Sequence, residues 1–327
     1  MDGARAGRRV VEPPPVELPD VEAAARRIAG EVRRTPLLAA APAARFASSA
    51  AGLQLKLENL QVTGSFKARG AANKVLSLPA EEAARGLVTA SGGNHGLAVA
   101  WAGGRAGLPT AVFLPARTAP EKAERIAGYG AQVVRAGELW DDAHRAAVAF
   151  AEREGRVYVH AFDDPAVVAG QGTIALEILA EAPATELLVV AVGGGGLISG
   201  IALAAKALRP AIRLVGVEPE GAPTLHDSLR AGTLVELAEV RTAALTLAPR
   251  RSAELNFEIV RRTVEDIVLV SDEEMRQAAR WLWLEHGVAA ELSAAAAVAA
   301  LLFEKILSRP GQPACALVCG AGTDGIG

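Results

Sequence analysis

The chain has 327 residues, 51% of them hydrophobic, so it is long enough to bury a large core and to form two domains. Its 34 basic and 37 acidic residues give a net charge of −3 at pH 7, which provides no electrostatic case for binding nucleic acid or an anionic membrane. The longest uninterrupted apolar run, residues 294–303, is too short to span a bilayer.

The two ends of the chain contain the sequence signals that concern the cellular compartment of the protein. Three prolines at 13–15 stand among scattered arginines, with no apolar stretch of the kind that a secretory signal needs. Cys315 and Cys319 lie four residues apart in one strand-like run, a separation too wide for a disulfide. We therefore expect residues 1–19 to form a flexible arm and the protein to be cytoplasmic.

After a helix predicted from Asp20 to about residue 33, short apolar strands alternate with helices. The predicted strands are 53–57, 87–90, 110–114, 132–135, 157–160, 187–192, 213–218, 267–271 and 314–319. The predicted helices include 68–78, 119–128, 141–153, 165–180, 272–286 and one that starts near residue 197. This alternation predicts an α/β fold with mostly parallel sheets covered on both faces.

The stretch Gly64-Ser65-Phe66-Lys67-Ala68-Arg69-Gly70 joins the first of these strands to the first of these helices. Ser65 is a good N-cap, which would place Lys67 in the first helical turn. A cation is disfavoured there, so its amine should titrate more easily, as an amine that attacks a carbonyl must. Only six of the 34 basic residues are lysines. Taken alone, however, the stretch is still best explained as an ordinary capped helix with a surface lysine.

Three further stretches follow predicted strands, at the edge where α/β folds bind ligands. Ser91-Gly92-Gly93-Asn94-His95-Gly96 leaves backbone N–H groups for a carboxylate or phosphate, although a plain strand-to-helix turn explains most such loops. The second, Gly193-Gly194-Gly195-Gly196, is costly to order, which favours a phosphate site. The third ends the last strand at Cys319 and Gly320, where a buried apolar cysteine is the simpler explanation.

Together and in this order, the four stretches resemble the pyridoxal-phosphate enzymes of the tryptophan-synthase-β (fold type II) family. The chain is most similar to its serine/threonine dehydratase branch, which includes threonine ammonia-lyases and serine racemases. The resemblance covers residues 20–327 and implies two open, twisted, mostly parallel sheets flanked by helices. It also implies a large cofactor-binding domain from 20–79 and 163–327, a smaller mobile domain from 80–162, and a homodimer.

Carried over residue by residue, the resemblance makes Lys67 the catalytic Schiff-base lysine, with Phe66 near the ring of pyridoxal 5′-phosphate. Asn94 would bond the 3-oxygen of the cofactor and Cys319 would face its pyridine nitrogen as a neutral thiol. Glu291 matches a family position near the pyridine side. The expected phosphate-binding residues are Gly193, Gly194, Gly195 and Gly196. The expected substrate-binding residues are Ser65, Ser91, Gly92, Gly93, Asn94 and His95.

The resemblance implies β-elimination on L-threonine, L-serine or a related 3-hydroxy amino acid, yielding a 2-keto acid and ammonia. Lys67 would take the α-proton, and the β-hydroxyl would leave with help from the cofactor phosphate. Two alternatives remain, racemisation at Cα and a non-catalytic cofactor-binding role. Serine racemases carry a Ser two residues before the Asn of the loop, and here that position is Gly92. The chain stops soon after Cys319, so we expect no C-terminal regulatory domain.

Other polar residues have simpler explanations than a metal site. Asp141, Asp142 and His144 are typical of a solvated helix face, and His160 with Asp163 and Asp164 is typical of a strand end and a helix cap. Some relatives bind a cation near Glu218, but a required acidic position holds Thr224 here. We therefore predict no metal site. Trp281 and Trp283 lie on different sides of a predicted helix, and at least one should be packed.

Overall fold

The computed structural model describes residues 16–40, 52–306 and 312–326, so most of the predicted N-terminal arm lies outside the described residues. The strands are β1 (Leu37–Ala39), β2 (Leu53–Leu57), β3 (Leu87–Ala90), β4 (Thr110–Leu114), β5 (Gln132–Arg135), β6 (Val157–Tyr158), β7 (Leu187–Ala191), β8 (Arg213–Pro219), β9 (Asp266–Val270) and β10 (Ala314–Val318).

The α-helices separate these strands along the chain. They are α1 (Leu18–Ile28), α2 (Lys67–Leu76), α3 (Ala80–Arg85), α4 (Asn94–Arg105), α5 (Pro120–Ala127), α6 (Trp140–Glu154), α7 (Pro165–Glu181), α8 (Gly196–Leu208), α9 (Thr224–Ala231), α10 (Glu254–Thr263), α11 (Asp272–His286) and α12 (Ala296–Leu302). Short 3₁₀ turns occupy Glu58–Leu60, Leu245–Leu247 and Leu292–Ala295.

Two sheets organise the molecule. The larger has the order β1-β2-β10-β7-β8-β9, parallel except for β1 against β2, and the smaller has the order β5-β4-β3-β6, parallel throughout. Parallel pairing brings the carboxyl ends of β2, β7 and β10 to one edge. The stretches that follow these strands therefore meet, although they are far apart in sequence. The α/β class with two mostly parallel sheets is confirmed, while the domain boundaries and the motion of the smaller domain stay predictions.

The core explains why these strands form. Every residue of β3, β4, β7 and β10 is buried, as expected for parallel strands covered by helices on both faces. Helix α12 is also buried along its whole length, so the longest apolar run of the chain packs inside the protein. Among the described residues, no helix is both long and apolar enough to cross a membrane.

Most predicted boundaries are within two residues of the observed ones. Helix α1 begins at Leu18 rather than Asp20, because Asp20 accepts a hydrogen bond from the Glu17 N–H (2.8 Å) as the third residue of a capping box. The same helix ends at Ile28, before the predicted residue 33. Strand β6 is only two residues long, and β1 was not predicted.

Candidate active site

Lys67 is the first residue of α2, but the capping predicted for that helix is wrong. The N-cap is Phe66, with no side-chain cap, and the Ser65 hydroxyl is buried without a hydrogen-bond partner in the described chain. Gly64 makes the turn with a φ of +83°, a conformation that favours glycine. The helix start is therefore held by tertiary contacts instead of by a local cap.

Those contacts come from the end of β10. The Phe66 N–H donates to the Cys319 carbonyl (3.1 Å), and the Ala321 N–H donates to the Gly64 carbonyl (2.7 Å). Ser65 and Gly320 form an isolated antiparallel bridge between the two segments. The last strand is thus joined to the turn that carries the lysine.

The Lys67 amine is prepared to lose its proton. Burial lowers the pKa of Lys67 to about 8, against smaller effects of Cys319 and Glu291 that raise it. The direction predicted from the sequence is correct, but the main cause is desolvation and not the helix dipole. Lys67 Nζ donates to the carbonyl of Ala161 (2.7 Å) and lies 5.1 Å from the centre of the Phe66 ring.

Cys319 is buried at 3% exposure, and burial raises the pKa of its thiol, so the group is neutral at physiological pH. The Cys319 carbonyl accepts from the N–H of Phe66, the residue before Lys67, which places Cys319 beside the lysine turn. Cys315 is also buried and has a free thiol, as the strand spacing predicts. A neutral Cys319 agrees with the thiol character predicted for the residue that faces the pyridine nitrogen, although the facing itself stays a prediction.

The loop from Ser91 to Gly96 leads into α4. Ser91 Oγ accepts a hydrogen bond from the Gly93 N–H (3.2 Å), while the N–H groups of Gly92, Asn94, His95 and Gly96 donate to no described residue. Four unpaired donors at the N-terminus of a twelve-residue helix suit a carboxylate.

The side chains of Asn94 and His95 in this loop point in different directions. Asn94 Nδ2 donates to Glu291 Oε1 (2.9 Å), and its second amide hydrogen remains for a ligand oxygen. His95 turns into the interior, where its Nε2 lies 3.0 Å from the carbonyl oxygen of Val159 and burial lowers the pKa of its ring to about 3. Only the backbone N–H of His95 can therefore serve a substrate.

Glu291 makes more hydrogen bonds within the site than its sequence motif indicates. Its N–H donates to the Gly320 carbonyl (3.1 Å), and its Oε1 accepts from Asn94 and from Thr246 Oγ1 (3.3 Å). Burial raises the pKa of this carboxyl to about 7. Thr246 was not predicted, because it belongs to no motif and comes from a turn 45 residues away in sequence.

The four glycines from Gly193 to Gly196 follow β7 and begin the thirteen-residue helix α8. Gly195 is the N-cap with a φ of +91°, and a Cβ on Gly194 would overlap the ring of Phe162. None of the four N–H groups donates a hydrogen bond to a described residue. Such a group of donors at a helix N-terminus fits a phosphate dianion.

An open cleft of about 380 Å³ adjoins this loop, with Trp140, His160, Phe162, Arg251 and Ser252 among the residues that line it. Phe162 follows Ala161, whose carbonyl accepts from Lys67. The cleft therefore lies next to the segment that joins the Lys67 amine to the glycine loop. Taken together, the amine, the neutral thiol and the two groups of unpaired N–H donors fit pyridoxal phosphate.

The polar residues considered for metal binding have other partners. Glu218 accepts hydrogen bonds from the N–H groups of Leu225 and His226 (2.9 Å each), and Thr224 Oγ1 donates to the Pro249 carbonyl (2.7 Å). Within the part of the chain that the structure describes, no three His, Cys, Asp or Glu side chains are grouped to hold a metal ion.

The remaining side chains singled out in the sequence also find clear roles. Asp164 is the N-cap of α7, as predicted, and Trp281 is buried at 5% exposure while Trp283 is 47% exposed. His144 does not lie on a purely solvated helix face, since it stacks on Trp140 and its Nδ1 lies 2.7 Å from the hydroxyl of Tyr158. That part of the prediction was wrong because Trp140, one turn earlier in the same helix, and Tyr158 of β6 cover the ring.

Comparison with known proteins agrees with this site. A family model described as pyridoxal-phosphate dependent enzyme matches residues 28–320. The chain therefore belongs to the pyridoxal-phosphate dependent enzymes and uses that cofactor.

Two curated relatives and one solved structure show which members of this family the chain resembles. The chain is 40% identical to an L-threonine ammonia-lyase of Thermotoga maritima over 88% of its own length and 71% of the relative. It is 36% identical to a phenylserine dehydratase of Ralstonia pickettii over 94% of both chains. The solved structure of maize serine racemase matches with a TM-score of 0.89 at 32% identity, over 94% of this chain and 93% of the other.

Proposed function

We propose that the protein is a pyridoxal-phosphate dependent dehydratase, an ammonia-lyase that converts L-threonine, L-serine or a related 3-hydroxy amino acid to a 2-keto acid and ammonia. The observation that carries the proposal is the Lys67 amine, with a pKa lowered to about 8, beside two groups of unpaired backbone N–H donors. The ammonia-lyase and dehydratase names of the relatives support the same reaction.

The roles of the binding residues follow from the donors that each loop offers. The N–H groups from Gly193 to Gly196 hold the cofactor phosphate, and those of Ser91 to Gly96 hold the substrate carboxylate. Asn94 donates its second amide hydrogen to the cofactor while Glu291 holds the first. Phe66 lies near the cofactor ring, and Cys319 faces the ring nitrogen.

The proton transfers belong to Lys67. When bound, pyridoxal phosphate supplies an electron sink for the charge that develops at the substrate Cα. Lys67 Nζ, neutral in part at physiological pH, removes the α-proton, and the Ala161 carbonyl orients the amine. The β-hydroxyl would leave as water by taking up one proton, which balances the α-proton gained by Lys67. The released enamine tautomerises to an imine, which adds water to give the keto acid and ammonia.

Racemisation is the second candidate, since the serine racemase of maize has the same fold. It requires a second acid on the face of the cofactor opposite Lys67. Gly92 offers no side chain for that role, and a Cβ there would lie 2.8 Å from Thr118 Oγ1. We therefore place the racemase function second.

The test is a panel of 3-hydroxy amino acids assayed for both keto acid and ammonia. L-threonine, L-serine and L-threo-phenylserine are the first members, because their side chains differ in size beyond Cβ. We expect equal amounts of keto acid and ammonia from at least one of them. If the cofactor-loaded protein gives neither product from any member, the dehydratase function is wrong.

We further propose that the enzyme is a cytoplasmic homodimer with a small domain from 80–162 that closes on the substrate. The exposed apolar side chains of Trp283 (47%) and Leu284 (71%) on α11 support a subunit contact. Sedimentation at several concentrations tests the assembly, and a monomer at all of them would contradict it.

A further inference from the structure

Asn256 lies behind the glycine loop and joins it to the segment that carries Phe162. The side chain is fully buried in α10, and its Nδ2 donates to the carbonyls of Gly194 and Phe162, 3.0 Å from each. Ser252 Oγ donates to the same Gly194 carbonyl, also at 3.0 Å. Two side chains thus fix the direction of one carbonyl group in a loop made of glycine.

A fixed carbonyl also fixes the next N–H group. The described peptide bonds are trans, and in a trans peptide the C=O and the following N–H point in opposite directions. Because the Gly194 carbonyl points toward Asn256 and Ser252, the Gly195 N–H points away from them. It finds no acceptor in the described chain. Asn256 Cβ also lies 2.9 Å from where a Cβ on Gly195 would stand, which leaves room only for glycine.

We propose that Asn256, assisted by Ser252, positions the Gly194–Gly195 peptide so that its N–H group meets the cofactor phosphate. This inference rests on the proposed role of the glycines in holding that phosphate. Four consecutive glycines have more conformational freedom than any other sequence, so unbraced N–H groups would point at a ligand for only part of the time. Asn256 therefore acts through the loop as a positioning residue.

The unpaired oxygen of the Asn256 amide supports this positioning role. Its Oδ1 is buried and has no hydrogen-bond partner among the described residues. An unsatisfied buried carbonyl is destabilising, and an apolar side chain would fill the same space without that cost. What the amide adds is its two donated hydrogen bonds, one of which ends on the glycine loop.

The test compares two ligands that differ only in the phosphate. The dissociation constants of pyridoxal 5′-phosphate and pyridoxal are measured on the cofactor-free full chain by absorbance titration. Wild-type protein should prefer the phosphorylated form strongly. Asn256→Ala should weaken pyridoxal 5′-phosphate about tenfold, the equivalent of about 1.4 kcal/mol or one to two hydrogen bonds, and change pyridoxal less than about twofold.

Two further variants separate positioning from general damage. Ser252→Ala removes one donor to Gly194 and leaves the Phe162 bond, so it should reduce the preference about threefold. Asn73→Ala is the matched control, because Asn73 is a buried asparagine in α2 whose Nδ2 donates to the Ala166 carbonyl (2.7 Å). It should lower the Tm and leave the ratio of the two dissociation constants unchanged.

The outcomes distinguish the inference from the function on which it rests. If wild-type protein binds both ligands equally, the glycine loop does not hold the phosphate, and both ideas fail. If wild-type protein prefers the phosphate but Asn256→Ala keeps the same ratio, the loop keeps its role and the inference about Asn256 is wrong. If Asn256→Ala does not fold, Ser252→Ala decides: an unchanged ratio overturns the inference, and a reduced one supports it.

Discussion

The two glycine-rich loops of the site differ in what holds them in place. The loop from Gly193 to Gly196 is fixed from outside, by two side chains on its carbonyl and by the Phe162 ring against Gly194. The loop from Ser91 to Gly96 is held by Ser91 Oγ, which accepts from the Gly93 N–H, and by the hydrogen bond from Asn94 to Glu291. Thr118 packs closely against Gly92 in the same loop. A Cβ on Gly93 would approach nothing nearer than Ser91 Oγ at 3.9 Å.

This difference matches the two ligands that we propose. A cofactor stays bound through many turnovers, so its phosphate site gains from being rigid before the ligand arrives. A substrate enters and its product leaves in each turnover, so its carboxylate site must be free to open. Asn94 is the exception in this loop, since its amide is proposed to bind the cofactor and is held in place by Glu291.

The largest effect should come from Lys67, because its amine acts between the two loops. Lys67→Ala should lower kcat by about 10²–10⁴-fold or more, as expected for loss of a positioned proton-transfer group. Borohydride reduction of the wild-type holoenzyme followed by peptide mapping should find the pyridoxyl group on Lys67. A pyridoxyl group on Lys56 or Lys74 would contradict the whole site.

The lowered pKa of Lys67 should also make the rate of cofactor attachment depend on pH. Only the neutral amine attacks a carbonyl, and burial lowers the pKa of Lys67 to about 8. The rate at which cofactor attaches to the cofactor-free protein should therefore rise with pH up to about 8 and level off above it. A rate that continued to rise toward pH 10.5, the ordinary value for lysine, would show that the amine is not desolvated.

The second effect tests the two loops directly with matched substitutions. A Cβ on Gly194 would overlap the Phe162 ring, whereas a Cβ on Gly93 has free space and an ordinary backbone with φ of −120°. Gly194→Ala should weaken cofactor binding by about 10- to 100-fold, in line with an overpacking cost of roughly 1–3 kcal/mol. Gly93→Ala should change it less than about twofold.

The measurement is the dissociation constant of pyridoxal 5′-phosphate for each variant, with Tm as the check on folding. Equal effects of the two substitutions would remove the distinction between a rigid and an adjustable loop. A Gly194→Ala protein that binds the cofactor normally would show that Phe162 moves aside at little cost.

The sequence was a good guide to the parts of the site that local chemistry determines. The strand bounds of β3, β4 and β5 were predicted to the residue, because each is a short apolar or β-branched run between turn residues. The glycine loops were placed correctly after β3 and β7 for the same reason. Cys315 and Cys319 were also expected to remain free, since strand geometry keeps them apart.

The parts that depend on distant contacts could not be predicted. Ser65 was expected to cap α2, but the helix begins one residue later with Phe66 as its N-cap, and the Ser65 hydroxyl has no partner among the described residues. The Phe66 N–H donates to the distant Cys319 carbonyl. The roles of Thr246 and Asn256 arise from contacts with residues 45 and 62 positions away, and neither belongs to a motif. Burial of the Lys67 amine likewise depends on the packed structure, which local sequence does not reveal.

The third effect concerns Cys319, at the end of the strand that is joined to the Lys67 turn. Burial keeps its thiol neutral, so Cys319→Ser should keep elimination within about fivefold of wild type, the equivalent of about 1 kcal/mol. Cys319→Asp would place a carboxylate that favours a protonated ring nitrogen, and should raise the share of transamination about tenfold. Quantifying keto acid and aminated cofactor for both variants checks this. The same product ratio in both would mean that Cys319 only packs.

The smallest effect should come from Gly92, on the adjustable loop, and it separates dehydratase from racemase. Wild-type protein should yield keto acid with little D-enantiomer, because no side chain at residue 92 can deliver a proton on the face opposite Lys67.

The single variant Gly92→Ser does not test this role cleanly, because its Cβ would lie 2.8 Å from Thr118 Oγ1 and 2.9 Å from Thr118 Cγ2. The double variant Gly92→Ser/Thr118→Ala provides the space, and Thr118→Ala alone is its control. We expect the double variant to raise the D-enantiomer fraction by about two- to threefold, a small part of what a fully positioned acid contributes. Chiral analysis of the amino acid left after partial turnover measures it. If wild-type protein makes D-serine as fast as pyruvate, the racemase function replaces the dehydratase one.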